Sequence, residues 1–126
     1  MKYEELTHKI IGAAYKVFNQ LGFGFLESVY KKAMLIELTK NNLKVEAEKS
    51  LRVYYDNQIV GDFYIDLYVE DKVVVELKSV ETLAKQHEVQ LVNYLQGLQK
   101  DIGLLINFGP SGVEVKRKFR TTKQKV

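Results

Sequence analysis

The stretch Lys72-Val73-Val74-Val75-Glu76-Leu77-Lys78 constrains this chain more than any other. Three consecutive valines bounded by turn residues read as a strand covered on both faces, because a strand with one wet face would alternate. That strand nevertheless carries charge. Glu76 and Lys78 are two positions apart and so project from the same face. An ionised group buried without a partner is strongly penalised, so this face calls for a cation, a salt bridge or a chemical task.

The chain has 126 residues, 46% of them hydrophobic, enough for one domain with a core of its own. We expect residues 1–119 to form that single domain and residues 120–126 a basic tail. The absence of cysteine excludes disulfides, thiolate zinc sites and a cysteine nucleophile. Met1 is followed by Lys2, Tyr3, Glu4 and Glu5, and no apolar run approaches a membrane span, so the expectation is a cytoplasmic protein without a membrane segment. The net charge of +3 is unevenly placed. Lys116, Arg117, Lys118, Arg120, Lys123 and Lys125 fall in an acid-free end attached to a mildly acidic body. Such an end suits a polyanion, nucleic acid first among them, and equally suits a solvated terminus.

Helical spacing of Leu6, Ile10, Ala13, Ala14, Val17, Phe18 and Leu21 predicts a first helix from about Tyr3 to Gln20, ended by Gly22. A second helix is expected from Leu26 to Lys40, stopped by Asn41-Asn42. Glu27 shares a flank with the inward-looking Tyr30, Met34 and Leu38. A glutamate in a first turn also answers the helix dipole, which is reason enough for its presence.

Three strands should follow. The first alternates Val45, Ala47, Leu51, Val53 and Tyr55 against polar residues. Asp56-Asn57 makes a turn into a strand over Gln58–Val69, with Ile59, Phe63, Ile65, Leu67 and Val69 expected to face one way. Glu70-Asp71-Lys72 then returns the chain into the valine strand as an antiparallel meander. If three residues turn that corner, Val69 opposes Val73 and Asp66 opposes Glu76, and a two-residue turn would break the arrangement. Opposed residues hold their Cβ atoms roughly 4.5 to 5.5 Å apart, close enough for two carboxylates to meet one cation. A helix over about Ala84–Lys100, a strand over Gly103–Phe108, a Gly109-Pro110-Ser111-Gly112 turn and a strand over Val113–Phe119 complete the order ααβββαββ. That order argues for the α/β class, a mixed central sheet flanked by helices.

Two carboxylates beside a lysine can hold Mg²⁺ or Mn²⁺ through hard oxygen ligands, with water on the open side. A cation of this kind activates that water and neutralises charge on a phosphate undergoing displacement. Lys78 could stabilise that charge as an ammonium or take the proton of the attacking water as a neutral amine. The competing reading is that Glu76 and Lys78 pair with neighbours at the wet end of a strand.

Asp66 followed by Val75-Glu76-Leu77-Lys78 resembles the Asp, then Glu-x-Lys, signature of the PD-(D/E)xK nuclease superfamily. Gly24-x-x-Glu27-x-x-Tyr30 resembles the signature of the GxxExxY family, assigned to the same superfamily. His87-Glu-x-Gln-Leu-x-Asn-Tyr94 and Leu104-Leu-Ile-Asn-Phe-Gly109 resemble two further motifs of that family, in the same order. The resemblance implies a restriction-endonuclease-like core in which Glu27 helps Asp66 and Glu76 hold Mg²⁺ or Mn²⁺, with the Leu77 carbonyl completing the set. It gives Lys78, Gln90 and Tyr94 catalytic positions, the last two beside the scissile phosphate, although ordinary helix-border packing would also explain them. His87 is expected at the surface or behind the ligands. Tyr30, Lys116, Arg117, Lys118 and Arg120 are the candidate nucleic-acid contacts. Ile65 stands where the superfamily name has proline.

The leading expectation is therefore a metal-dependent nuclease acting on DNA or RNA. A non-catalytic nucleic-acid-binding or assembly module retaining the nuclease fold is the alternative, motivated by the small size and the lack of a recognition insertion. A plain domain with a protein partner is a third. Members of the superfamily often assemble, so a homo-oligomer is one expectation.

Overall fold

The computed structural model describes residues 2–121, so the basic positions Lys123 and Lys125 lie outside the described residues. The elements are α1 (Glu4–Leu21), α2 (Glu27–Lys40), β1 (Val45–Tyr55), β2 (Gln58–Val69), β3 (Val73–Lys78), α3 (Lys85–Leu98), β4 (Ile102–Gly109) and β5 (Gly112–Phe119), in the expected order. The strands form one sheet of spatial order β1-β2-β3-β4-β5. Only β3 and β4 run parallel, joined through α3, while the other neighbours are antiparallel.

The valine run takes the central strand, beside β4, which is buried along its whole length. Val73 to Leu77 are all buried, flanked by β2 and β4 and covered on both faces. On one face Val73, Val75 and Leu77 pack with Ile10, Ala14 and Val17 of α1 and with Tyr30, Met34 and Leu38 of α2. On the other, Val74 and Leu105 pack with Leu91, Tyr94 and Leu95 of α3.

Turn chemistry sets the register. Asp56 and Asn57 both adopt left-handed φ values, 50° and 61°, the conformation that matches hairpin twist. Glu70 and Asp71 do the same at 56° each, and the Lys72 N–H donates to the Val69 carbonyl at 3.0 Å. Val69 consequently opposes Val73, Tyr68 opposes Val74 and Leu67 opposes Val75.

Two expectations need correction. The helix α3 stops at Leu98 rather than about Lys100, because Gln99 turns left-handed at φ 57°. The inward face expected of β2 is also not continuous. Ile65 joins the cluster under α3, whereas Leu67 and Val69 join the cluster under α1 and α2, and Ile59 and Phe63 are exposed. The switch between Ile65 and Leu67 lies opposite Glu48 of β1, at φ 54° the only non-glycine strand residue with left-handed φ among the described residues, and the β1–β2 register shifts further along, between Val53 and Tyr54. A break of this kind re-aims the side chains on either side of it.

Candidate functional site

Beyond Leu67 and Val75 the next facing positions of β2 and β3 are Asp66 and Glu76, and there side chains take over from the backbone ladder. The Asp66 N–H donates to Glu76 Oε2 at 2.8 Å, and the Leu77 N–H donates to Asp66 Oδ2 at 2.8 Å. Each carboxylate thus spends one oxygen on a main-chain N–H that the separating strands would otherwise leave unpaired. The other oxygen of each carries no such commitment. Asp66 Oδ1 lies 3.7 Å from Lys31 Nζ.

Burial at the end of a central strand makes this pair reluctant to ionise. Glu76 retains 7% exposure, and its pKa is pushed up to about 8 by that burial first and by the charge of Asp66 second. The Asp66 N–H and Lys78 oppose the shift, and the charge of Glu27 adds to it. Asp66 is also raised, by burial, against the Leu77 N–H, Lys31 and Lys78. Removing two like charges from water without a cation favours keeping a proton on one of them.

The helix α2 is delivered to this point by Tyr30. Its ring is fully buried and stacks on Phe108 at 4.3 Å, and its hydroxyl donates to the Gly22 carbonyl and accepts from the Phe25 N–H at 3.4 Å. The turn it fastens uses Gly22 at φ 73° and Gly24 at φ 117°, values that suit glycine. Ser79, just past β3, donates its hydroxyl to the Phe25 carbonyl at 2.8 Å and ties the same turn to the end of the central strand. Tyr30 is therefore a core residue, not a nucleic-acid contact. The GxxExxY spacing has a structural reason here: the glycine permits the turn, the tyrosine anchors it, and the glutamate is carried between them.

Glu27 itself is exposed and acts on Glu76 through its charge. Among the described residues no group of three or more His, Asp or Glu side chains converges tightly enough to cage a metal, so Glu27 does not close with Asp66 and Glu76 into a three-carboxylate set. Two carboxylates remain, which is what magnesium commonly takes from protein, with water on its other positions. The donor set at Asp66 and Glu76, hard oxygens with one atom of each not bonded to the backbone, fits such an ion.

From the other face, α3 brings Tyr94 and Gln90. Burial raises the Tyr94 pKa, as do the charges of Glu76 and Asp66, while a hydrogen bond from Gln90 opposes them. Tyr94 thus stands within electrostatic reach of the carboxylate pair. Lys78 is half-buried on β3, and its charge reaches both carboxylates. Arg52 is engaged with Asp62 at 3.9 Å rather than with Glu76. His87 caps α3, its Nδ1 accepting the Ala84 N–H at 3.1 Å. Leu77 contributes its N–H to Asp66 and buries its side chain under the first two helices.

Two participants escaped sequence reasoning. Lys31 bridges Asp66 and Glu48, contacting Glu48 most closely. The signal available for Lys31 was its position four residues after Glu27, on the same helical flank. For Glu48, an acid on an edge strand, no local signal existed.

The basic end is less free than its composition suggested. Lys118 pairs with Glu88 of α3 at 3.1 Å, Arg120 with Asp101 at 3.0 Å, and Lys116 lies 4.0 Å from Glu114. Arg117 faces Leu104 in the β4–β5 pairing. Lys116, Lys118 and Arg120 thus spend their charge on acids other than Asp66 and Glu76.

A mixed five-stranded sheet between helices, with an acidic pair and a lysine at the end of its central strands, defines a restriction-endonuclease-like α/β fold. The family model of the PD-(D/E)XK nuclease superfamily matches residues 4–119, and the chain belongs to that superfamily. No curated protein matches the chain. A solved structure titled "Crystal structure of SSO0001" is similar in fold, with a TM-score of 0.59 and 17% identity over 77% of this chain. The match covers 52% of that structure's own chain, so this protein spans about half of it. Among the described residues no helix is long and apolar enough to cross a membrane.

Proposed function

We propose that this protein is a metal-dependent phosphodiesterase of the GxxExxY branch, hydrolysing DNA or RNA with Mg²⁺ or Mn²⁺ held by Asp66 and Glu76. The observation that carries the reading is the meeting of those two carboxylates beside Lys78 at the end of β3. A bound divalent cation would supply charge neutralisation at the phosphate and a more acidic water. The backbone hydrogen bonds of Asp66 and Glu76 fix one oxygen of each and leave the other for the ion, that of Asp66 in competition with Lys31. Lys78 stabilises the negative charge that develops on the phosphoryl oxygens. Tyr94, within reach of the charges of Glu76 and Asp66, positions the phosphate, together with Gln90 one turn before it on α3. Glu27 tunes the potential from the N-terminus of α2.

The experiment is direct. Purified protein with Mg²⁺ or Mn²⁺ is incubated with single- and double-stranded DNA and RNA. Cleavage should appear, and Glu76→Ala and Lys78→Ala should each lower it by about 10² or more. Cleavage that persists in both variants would sink the reading.

A further inference from the structure

Lys31 occupies a place that the proposed chemistry does not use. Its ammonium lies 3.7 Å from Asp66 Oδ1, the oxygen not committed to Leu77, and it touches Glu48 on its other side. It is three-quarters shielded from water, a costly position for a charge with nothing to answer. Glu48 is held toward it by a left-handed backbone at φ 54°, a conformation unfavourable to a residue with a Cβ, in the middle of a strand. Strain of this kind persists only where surroundings enforce it, and the carboxylate of this residue is the closer partner of the lysine.

We propose that Lys31 is a tethered counter-cation: shared between Asp66 and its closer partner Glu48, it offsets part of the charge of Asp66, while Glu48 holds it back from the position a divalent ion would take. The proposal rests on the function proposed above. A lysine fixed on Asp66 alone would simply compete with the metal. A lysine whose closer partner is Glu48 competes mildly, and keeps the cation-free site from accumulating unbalanced negative charge. Lys31 thus sets how much free cation is needed to load the site.

The test is calorimetric titration of Mn²⁺ into the full chain at fixed pH and ionic strength, with folding of every variant checked by circular dichroism. Lys31→Met should bind Mn²⁺ about three- to tenfold more tightly than the parent, the range of a partly shielded ion pair; Lys31→Gln serves if the methionine variant misfolds. Glu48→Gln should weaken binding a fewfold, since the lysine then leans on Asp66. That weakening should vanish in the double variant with Lys31→Met. Equal or weaker binding by Lys31→Met and Lys31→Gln overturns the counter-cation role while leaving the proposed function intact. An undiminished Glu48→Gln effect in the double variant overturns the restraint by Glu48. If neither the parent nor the lysine variants bind Mn²⁺, both this inference and the metal-dependent reading fall.

Discussion

Asp66 and Glu76 sit across the β2–β3 pair and exchange roles with its backbone: the Asp66 N–H goes to Glu76, and the Asp66 carboxylate takes the Leu77 N–H, each at 2.8 Å. Two acids are thereby built into the hydrogen bonding of the sheet. Their structural and chemical duties can be separated by mutation.

Asp66→Asn keeps an acceptor for the Leu77 N–H, whereas Asp66→Ala leaves that N–H unpaired beside a buried strand. Both remove the same negative charge from Glu76. The alanine variant should therefore be less stable than the asparagine variant by about 1–3 kcal/mol in urea unfolding at one pH. Equal midpoints would mean that water satisfies Leu77.

The cation-free protein should lose stability as pH rises. Glu76 has a folded pKa of about 8 against the ordinary 4.5, so between those values the folded chain holds a proton that the unfolded chain has released. Raising the pH through this window favours the unfolded chain, and the penalty at pH 8 is on the order of a few kcal/mol. Thermal melts in EDTA should fall from pH 5 to pH 8, and Glu76→Gln should flatten that slope. Added Mg²⁺ should recover more stability at pH 8 than at pH 5.

Tyr30→Phe retains the stack on Phe108 and loses both hydroxyl contacts to the Gly22–Phe25 turn. The expected cost is about 1 kcal/mol. Faster amide exchange should be confined to that turn and the start of α2; a change spread evenly over the chain would contradict the anchoring role.

Gly103 lets α3 approach the sheet. A Cβ there would stand 2.7 Å from Leu91 Cδ1 and 3.1 Å from its Cγ, and Leu91 is fully buried. Gly103→Ala should cost about 1–3 kcal/mol by overpacking. Because Gln90 and Tyr94 ride on the same helix, cleavage should fall further than the melting temperature alone explains. A variant with parental activity would show that Leu91 repacks without moving the helix.

Much of this site is written in short-range sequence. The glycine, asparagine and aspartate turns, the valine run and the three-residue corner are local features, and a local feature leaves its period or its φ preference in the chain. With a corner three residues long, pairing Val69 with Val73 brings Asp66 level with Glu76 without further information. The helical spacing that puts Gln90 and Tyr94 on one flank of α3 is legible for the same reason.

What the tertiary structure decided is which distant charges meet. Lys31 reaches Asp66 and Glu48, Lys118 reaches Glu88, and Arg120 reaches Asp101, contacts that no periodicity encodes. The switch of buried face between Ile65 and Leu67 belongs here too, and it lies opposite the left-handed Glu48 of the neighbouring strand. Tyr30, inward-looking by its helical spacing, becomes a core anchor because Phe108, seventy-eight residues later, arrives beneath its ring. Sequence determines the elements and their register through short-range geometry, whereas ion pairing and burial depend on how packed layers bring remote segments within a few ångströms.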